Sequence, residues 1–356
     1  MSKVKRIVIK IGSSMFCSSE NTVDPAILES IVREQIARLV EDGAQVCVVS
    51  SGAIALGMNI LGLAERPKKL AELQAAAAVG QNALMNAFQK AMPKNFHCAQ
   101  VLLTWEDFTD RERWLNARST LTQLMSGAYE GKLVIPVINE NDTVSTNEIR
   151  FGDNDQLSAR VACLISADLL VILSDVDGLY GADKKTIPVV ECICADVRRL
   201  ACPTTRKTTV GGMITKIDAA KITVDSGIPC VIANGRRKGV ILDAVRDASS
   251  AGTLFLPKTD GLDERRRWIA FGSKPKGSVT VDEGAKKALL NKKSLLSVGI
   301  SAVCGKFIAG DIVSVCDAAG EKIAAGKIDI DSACLERVKG KRSEREVIHR
   351  DNIVLL

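Results

Sequence analysis

Histidine is almost absent from this chain, which contains two histidines among its 356 residues. A metal centre built on histidine ligands is therefore hardly available. The cysteine pair Cys192 and Cys194 also lacks a second Cys or His pair at metal-site spacing nearby, so it does not indicate a zinc site. We predict no metal site formed by protein ligands.

Long apolar runs are missing as well. No stretch of about 18 uncharged apolar residues occurs, and residues 1–11 alternate charges with short apolar runs. Neither a membrane span nor a signal peptide is supported, so we expect a cytoplasmic protein without a membrane partner. The 11 cysteines fall mostly inside apolar runs and are typical of small buried hydrophobic residues rather than of a disulfide framework.

The length of the chain predicts two domains. A single hydrophobic core stops growing near about 250 to 300 residues, and this chain has 356. Hydrophobic residues at 46% and charged residues at 25% are average for a folded protein and argue against disorder. The net charge of +6 is compatible with phosphate-bearing substrates, with nucleic acid or with neither, so it does not select a function.

Apolar runs alternate with helical periodicity along the first two thirds of the chain. Residues 4–11 predict a buried strand that ends at Gly12, and Asp24 with Pro25 predicts the start of a helix that ends before Gly43. Further continuous apolar runs predict strands at residues 46–49, 133–138, 169–173 and 229–233. This alternation indicates a mainly parallel α/β sheet between helices.

After residue 257 the character of the sequence changes. A highly charged segment is followed by short apolar runs that are separated by glycines, which predicts a small β-rich module. We expect a first domain at residues 1–258, a linker at 259–273 and a second domain at 274–356. In an open parallel sheet the ligand lies at the carboxyl ends of the strands, so the chemistry should be found in the loops that follow them.

Two of these loops suit a phosphate group. Lys10 lies near the end of the first predicted strand and is followed by Gly12, and backbone amides beside an ammonium group favour phosphate oxygens. Residues 50–55 (SSGAIA) add a hydroxyl and further amides at the same edge of the sheet. Taken alone, a solvated lysine and an ordinary serine-capped turn explain these loops equally well or better.

Other loops suit an amino acid and a nucleotide. Residues 139–142 (NEND) and 151–155 (FGDND) combine carboxylates with amides, which matches a ligand that carries both an ammonium group and a carboxylate. Residues 174–180 (SDVDGLY) and 211–216 (GGMITK) offer a strand end and a double glycine with a lysine, which favour nucleotide phosphates. Each motif by itself could be a turn or a helix entry.

In this order, the motifs resemble those of the glutamate 5-kinases of the amino acid kinase family. They are residues 8–14 (VIKIGSS), 51–55 (SGAIA), 137–142 (VINEND), 152–155 (GDND), 174–180 (SDVDGLY) and 211–216 (GGMITK), with added similarity over 104–118. Residues 268–351 resemble the PUA domain that many bacterial members carry. The resemblance covers essentially the whole chain. It implies an α/β amino acid kinase fold, with a mainly parallel sheet sandwiched between helices, followed by a small β-rich PUA domain.

The resemblance also implies roles for individual residues. The catalytic residues would be Lys10, Lys216 and Asp155. L-Glutamate would be bound by Ser51, Gly52, Asp142 and Asn154. ATP, bridged by Mg²⁺, would be bound by Lys10, Gly12, Ser174, Asp175, Val210, Gly211, Gly212, Met213, Ile214, Thr215 and Lys216. Family members commonly carry threonine where this chain has Val210, so a backbone contact to the nucleotide would survive and a hydroxyl contact would not.

The implied reaction is the first step of proline synthesis. Its implied partners are proline as a feedback inhibitor, further copies of the chain in a dimer or tetramer, and glutamyl phosphate reductase. The nearest alternatives are kinases that act on aspartate, N-acetylglutamate or a nucleoside monophosphate, and the paired clusters at 139–142 and 152–155 argue against them.

An alternative from another class is an RNA-binding or regulatory protein built on an inactive kinase fold. It stays open because PUA domains are best known from RNA-modifying enzymes. The arginine-rich residues 263–268 are more typical of a linker and domain-packing segment than of a nucleic-acid patch.

Overall fold

The computed structural model describes residues 4–18, 21–127, 129–145, 154–201, 212–258, 264–272, 275–341 and 346–355. The chain divides into two compact units, the first comprising residues 1–107 and 112–261 and the second residues 108–111 and 262–356. Within the described ranges, no helix has the length and apolar character needed to cross a membrane.

One large sheet organises the first unit. Its strands are β1 (Arg6–Ile11), β2 (Gln45–Ser50), β3 (Phe96–Leu103), β4 (Leu133–Glu140), β5 (Leu169–Ser174), β6 (Val189–Val190), β7 (Cys230–Asn234) and β8 (Thr253–Phe255). They lie in the order β3-β4-β2-β1-β5-β7-β8-β6. Neighbouring strands are parallel except for β7 and β8, which pair antiparallel. The prediction of a mainly parallel sheet is confirmed.

Helices cover both faces of this sheet. The helices of the chain up to residue 251 are α1 (Ser13–Phe16), α2 (Pro25–Ile31), α3 (Arg38–Glu41), α4 (Ala53–Ile60), α5 (Leu70–Ala91), α6 (Trp105–Thr109), α7 (Arg111–Ser126), α8 (Asn154–Leu164), α9 (Ala195–Leu200), α10 (Met213–Asp225), α11 (Val240–Arg246) and α12 (Ala248–Ala251). Ile7, Ile9 and Ile11 of β1 belong to a core shared with α2, α5 and α11, while α8 packs against β1 as well. A strand covered on both faces has to be apolar along its length, which is why continuous apolar runs predicted these strands.

The predicted start of α2 is confirmed. The Asp24 side chain accepts hydrogen bonds from the backbone N–H groups of Ala26 at 3.0 Å and Ile27 at 3.3 Å, with Pro25 in the first turn. The helical run ends before Gly43, whose φ of +89° suits glycine. A π-helical segment, Val32–Ala37, separates α2 from α3, and the apolar spacing did not predict it.

Helices α4 and α5 approach each other backbone to backbone. A Cβ atom added to Gly57 would lie 1.7 Å from the carbonyl oxygen of Ala76, and one added to Gly80 would lie 1.8 Å from that of Ala53. Any side chain at either glycine would therefore push the helices apart. The beginning of α4 and the middle of α5 are held at a fixed separation.

The second unit is β-rich, as predicted. Its strands are β9 (Gly277–Val281), β10 (Leu295–Leu296), β11 (Ile300–Gly305), β12 (Ile312–Cys316), β13 (Lys322–Lys327), β14 (Glu346–Ile348) and β15 (Ile353–Leu355), and its helices are α13 (Glu264–Arg267), α14 (Glu283–Leu290) and α15 (Ser332–Val338). Five strands form a sheet in the order β11-β9-β12-β13-β15, and β10 pairs with β14. The unit encloses its own apolar core, which includes Val279, Val313, Val315, Leu335 and Ile348.

Candidate active site

Four strands of the first unit, β1, β2, β4 and β5, end at one cavity of about 560 Å³. Gly12, Ser51, Glu140 and Ser174, each at or just beyond a strand end, line this cavity. Its volume lies within the range of about 300 to 1,000 Å³ that is usual for ligand pockets. The position agrees with the rule that ligands of parallel sheets bind at the carboxyl ends of the strands.

Two lysines and one aspartate form an ion cluster in the cavity wall. Asp155 Oδ1 lies 2.6 Å from Lys10 Nζ, and Asp155 Oδ2 lies 3.1 Å from Lys216 Nζ. Lys10 comes from β1, Asp155 from the first turn of α8 and Lys216 from the first turn of α10. The three residues are only 7%, 2% and 8% exposed, and two positive charges against one negative charge leave the cluster cationic.

Asp155 is ionised in spite of its burial. Burial raises the pKa of this carboxyl, but the charges of Lys10 and Lys216, together with hydrogen bonding, outweigh that effect and hold the pKa below its ordinary value. One of the hydrogen bonds is donated by Thr215 Oγ1 to Asp155 Oδ2 at 2.8 Å. One carboxylate thus orients two ammonium groups.

The N-terminus of α10 lies at the same cavity. Gly212 and Met213 line it, and a Cβ atom added to Gly212 would meet no atom of the described residues within 4 Å. The N–H groups of a first helical turn and the helix dipole favour anions. Together with Lys216, this part of the cavity suits phosphate oxygens.

The loop after β2 has a conformation that requires glycine. Gly52 precedes α4 with φ of +112°, in the left-handed region, and a Cβ atom added to it would lie 3.2 Å from Ser13 Cβ. Next to it, Ser51 Oγ accepts a hydrogen bond from the backbone N–H of Ser13 at 3.1 Å. Because a hydroxyl can accept and donate at once, the Ser51 hydroxyl hydrogen can still be donated to a ligand.

Asp142, two residues after the end of β4, lines the cavity with a half-buried carboxyl. Burial raises the pKa of Asp142 to about 6, and the charge of Arg66, which also lines the cavity, lowers it in part. A cation that binds beside this carboxyl would favour its ionised form. Asp142 is therefore suited to accept an ammonium group from a ligand.

The orientation of the Asn154 amide can be derived from its partners. Asn154 Nδ2 donates hydrogen bonds to the backbone oxygen of Ser50 at 3.0 Å and to Asn139 Oδ1 at 3.1 Å. Both partners are acceptors, so the nitrogen has to face them. Asn154 Oδ1 is buried and has no hydrogen-bond partner among the described residues, although Asn154 lines the cavity. A donor from a ligand would satisfy this oxygen.

The structure brings most of the predicted site residues together. The predicted site residues that line the cavity are Lys10, Gly12, Ser51, Gly52, Asp142, Asn154, Asp155, Ser174, Asp175, Gly212, Met213 and Lys216. Ile214 and Thr215 are not among the lining residues, and Thr215 instead contacts Asp155. Val210 and Gly211 lie outside the described residues. Across the described ranges, no group of three or more His, Cys, Asp and Glu side chains is arranged to bind a metal ion.

The sequence profile of the amino acid kinase family matches residues 5–234, a range that contains every lining residue of the cavity. The chain belongs to the amino acid kinase family. The profile of the PUA domain matches residues 277–349, which fall in the second unit.

Three full-length relatives of this amino acid kinase illustrate its similarity to known proteins. The chain is 44% identical over 375 residues to a glutamate 5-kinase of Geobacter metallireducens, and the alignment covers 100% of this chain and 99% of the relative. It is 44% identical over 370 residues to a glutamate 5-kinase of Caldanaerobacter subterraneus, covering 99% and 98%. A glutamate 5-kinase of Pelobacter propionicus is 42% identical over 373 residues, covering 99% and 98%.

Arg66 and Gln81 are among the residues at this site that sequence patterns missed. Arg66 lines the cavity from a loop without periodicity, so nothing in the sequence marks it. Gln81 lies behind the cavity and is bonded to Asn139. It had a visible signal, because it is a polar residue on the buried face of α5, between Ala77 and Leu84.

Proposed function

We propose that this amino acid kinase is a glutamate 5-kinase, which transfers the γ-phosphoryl group of ATP to the side-chain carboxylate of L-glutamate and forms L-glutamyl 5-phosphate. The observation that carries the proposal is the pair of buried lysines held by Asp155 at 2.6 and 3.1 Å. Two cations beside one another suit a phosphoryl group in transfer between two anionic oxygens, and the nearby carboxyl of Asp142 suits an amino acid.

The nucleophile of this reaction needs no general base. The side-chain pKa of glutamate is about 4.3, so its carboxylate is already ionised at neutral pH. The difficulty is to bring this anion against the anionic γ-phosphate. Lys10 and Lys216 neutralise the transferring group, and Asp155 orients both lysines. A bond forms between a carboxylate oxygen and the γ-phosphorus, and the bond to the β,γ-bridging oxygen breaks, which releases ADP.

Glutamate is bound by the hydroxyl, carboxyl and amide groups around the same cavity. Asp142 accepts the α-ammonium group, and the unpartnered Asn154 Oδ1 is a second acceptor for it. Ser51 donates its hydroxyl hydrogen to a substrate carboxylate. The backbone amides of Gly12 and Gly52 assist the two lysines at the transferring phosphoryl group.

ATP is bound by Ser174, Asp175 and the N-terminal turn of α10, where Gly212 and Met213 supply backbone contacts. Magnesium, when bound together with ATP, would supply charge neutralisation at the phosphates. Asp155 would not be a ligand of this ion, because it is already engaged by two lysines and by Thr215.

A hydroxylamine trap tests the proposed function. The purified chain is incubated with ATP, magnesium, L-glutamate and hydroxylamine, which converts an acyl phosphate into a hydroxamate, with aspartate and N-acetylglutamate in parallel. Hydroxamate from glutamate alone is the expected result. Turnover restricted to another acceptor, or none at all, would contradict the proposal. A Lys10→Met preparation purified in the same way controls for contaminating kinases.

Several expectations from the sequence and from the resemblance stay predictions. They are the place in proline synthesis, inhibition by proline, assembly into a dimer or tetramer, transfer of the product to glutamyl phosphate reductase, a cytoplasmic location and a linker at 259–273. The ion cluster favours turnover over the inactive-kinase alternative, since all three of its residues are present and in contact.

A further inference from the structure

Four side-chain amides form a hydrogen-bonded chain from the edge of the sheet to the cavity, called the amide chain below. Asn154 Nδ2 donates to Asn139 Oδ1 at 3.1 Å, and Asn139 Nδ2 donates to Gln81 Oε1 at 2.9 Å. Gln81 Nε2 in turn donates to Gln100 Oε1 at 3.2 Å. Asn154, Asn139 and Gln81 are 8%, 2% and 9% exposed, so the bonds of the amide chain lie mostly within the core.

All hydrogen bonds of the amide chain run in one direction. Asn154, Asn139 and Gln81 each donate from their nitrogen to the oxygen of the residue that lies one step further from the cavity, so each oxygen fixes the orientation of the amide that donates to it. Asn139 Oδ1 also accepts a hydrogen bond from the backbone N–H of Glu140 at 2.9 Å, whereas Asn139 Nδ2 donates to Gln81. Without Gln81, a buried NH₂ group would lose its acceptor, and Asn139 would have to move to find another.

The location of Gln81 is fixed by close helix packing. Its neighbour Gly80 leaves no room for a Cβ atom against the carbonyl oxygen of Ala53. Ala53 begins α4 and lines the cavity, so α5 holds Gln81 at a constant distance from the cavity wall. Leucine or alanine, as found at the neighbouring buried positions of α5, would avoid burying an amide here.

We propose that Gln81 is a positioning residue for the substrate amino acid: through Asn139 it holds the Asn154 amide so that Oδ1 meets the α-ammonium group of glutamate. The inference rests on the proposed glutamate 5-kinase function. It explains why the amide chain ends in the cavity wall at a buried oxygen, Asn154 Oδ1, without a partner among the described residues.

Gln81→Met tests the proposal, because methionine keeps the unbranched shape and removes both hydrogen bonds. We expect the KM for L-glutamate to rise roughly tenfold, with kcat and the KM for ATP changed less than about twofold. Gln81→Glu should restore a KM near that of the unaltered chain, since a protonated carboxyl at a buried position accepts from Asn139 and donates to Gln100 as the amide does.

Gln89 on the same helix offers a matched control. Its Nε2 donates to the backbone oxygen of Phe96 at 3.1 Å, and its Oε1 accepts from the N–H of Cys98 at 2.9 Å. Gln89→Met therefore removes two hydrogen bonds that do not involve Asn139. We expect it to lower the thermal unfolding midpoint and leave the KM for glutamate unchanged, which separates positioning from a merely structural role.

A double variant shows whether Gln81 acts through Asn154. If it does, Gln81→Met should change the KM by less than about twofold in an Asn154→Ala background. A folded Gln81→Met variant with unchanged KM, or one whose effect multiplies in full with Asn154→Ala, would overturn the inference.

If Gln81→Met does not fold, Gln100→Met on β3 decides the matter, because it breaks only the outer bond. We expect it to raise the KM for glutamate about two- to threefold, and an unchanged KM would overturn the inference. No hydroxamate from the unaltered chain would instead contradict the proposed function itself.

Discussion

Two groups of side chains, one in the wall of the kinase cavity and one that leads away from it, are held by different forces. The ion cluster of Lys10, Asp155 and Lys216 is held by attraction between opposite charges, which weakens slowly with distance. The amide chain is held by hydrogen bonds, which weaken steeply when a distance or an angle changes. A substitution in the ion cluster should therefore act on the transfer of charge during the reaction, whereas one in the amide chain should act on the placement of the substrate.

The largest effect is expected from Lys10→Met, which removes one cation from the ion cluster. We expect kcat and kcat/KM for glutamate to fall together by roughly 100- to 1,000-fold, because the charge is needed in the transition state. Hydroxamate kinetics measure both. An increased KM with unchanged kcat would break the comparison, and exposed Lys5→Met is the control for a general effect of charge.

Asp155→Asn should show how much the carboxylate of the ion cluster stabilises the folded chain, independently of the reaction. The variant leaves two buried ammonium groups without their carboxylate, so we expect the free energy of unfolding of the unliganded kinase unit to fall by about 3 to 5 kcal/mol. Urea unfolding at neutral pH measures the loss, and adding Lys10→Met should recover part of it. Unchanged stability would show that the charges do not hold each other.

The stabilising contribution of Asp155 should depend on pH. Asp155 has a lowered pKa in the folded chain, so its stabilising contribution is complete above about pH 4, the ordinary value, and is lost as the pH falls further through the folded pKa. Asp155→Asn should lack this part of the acid dependence.

Asp142 should show the opposite behaviour, since burial raises its pKa to about 6. Below that pH the carboxyl of the free enzyme is neutral and attracts an ammonium group less strongly. We expect kcat/KM for glutamate to decline as the pH falls through about 6, while kcat changes little, because bound substrate holds Asp142 ionised. Asp142→Asn should raise the KM at pH 7.5 roughly 10- to 30-fold and remove the break, and a break that persists would assign it to another group.

Gly52→Ala should have the smallest effect and act on neither group directly. Alanine is strained at φ of +112° and its Cβ atom would crowd Ser13, so we expect a loss of about 1 to 2 kcal/mol in unfolding free energy, measured by urea unfolding. Gly43→Ala is the matched control, with φ of +89° and no described atom within 4 Å of the added Cβ. Equal losses in the two variants would exclude a contribution from crowding.

Much of the central sheet could be predicted from the sequence, because its strands are covered on both faces. The predicted runs at 4–11, 46–49 and 169–173 match β1, β2 and β5 within two residues at each end. Strand β3 was not predicted, since it lies at the sheet edge with a mixed burial pattern and carries polar residues such as Gln100. Periodicity reports burial, and an edge strand has less of it.

The residues of the site could be predicted where a sequence motif contains them. They could not be predicted where their only connection to the site is a contact in the folded structure. Lys10, Asp155 and Lys216 were identified by resemblance, but their meeting at one carboxylate follows from the order of the strands and helices. The bond between Gln81 and Asn139 joins residues 58 positions apart, and no local pattern encodes such a pairing.

The ion cluster has a second consequence if the chain makes an acyl phosphate. That product is an electrophile, and it forms beside two primary amines that could be acylated by it. An amine attacks only through the lone pair of its neutral form. Lys10 and Lys216 are both engaged as ammonium ions by Asp155, at 2.6 and 3.1 Å, and an ammonium nitrogen has no lone pair to offer. If the lysines act on phosphate as proposed, the same carboxylate would also keep them from reacting with the product.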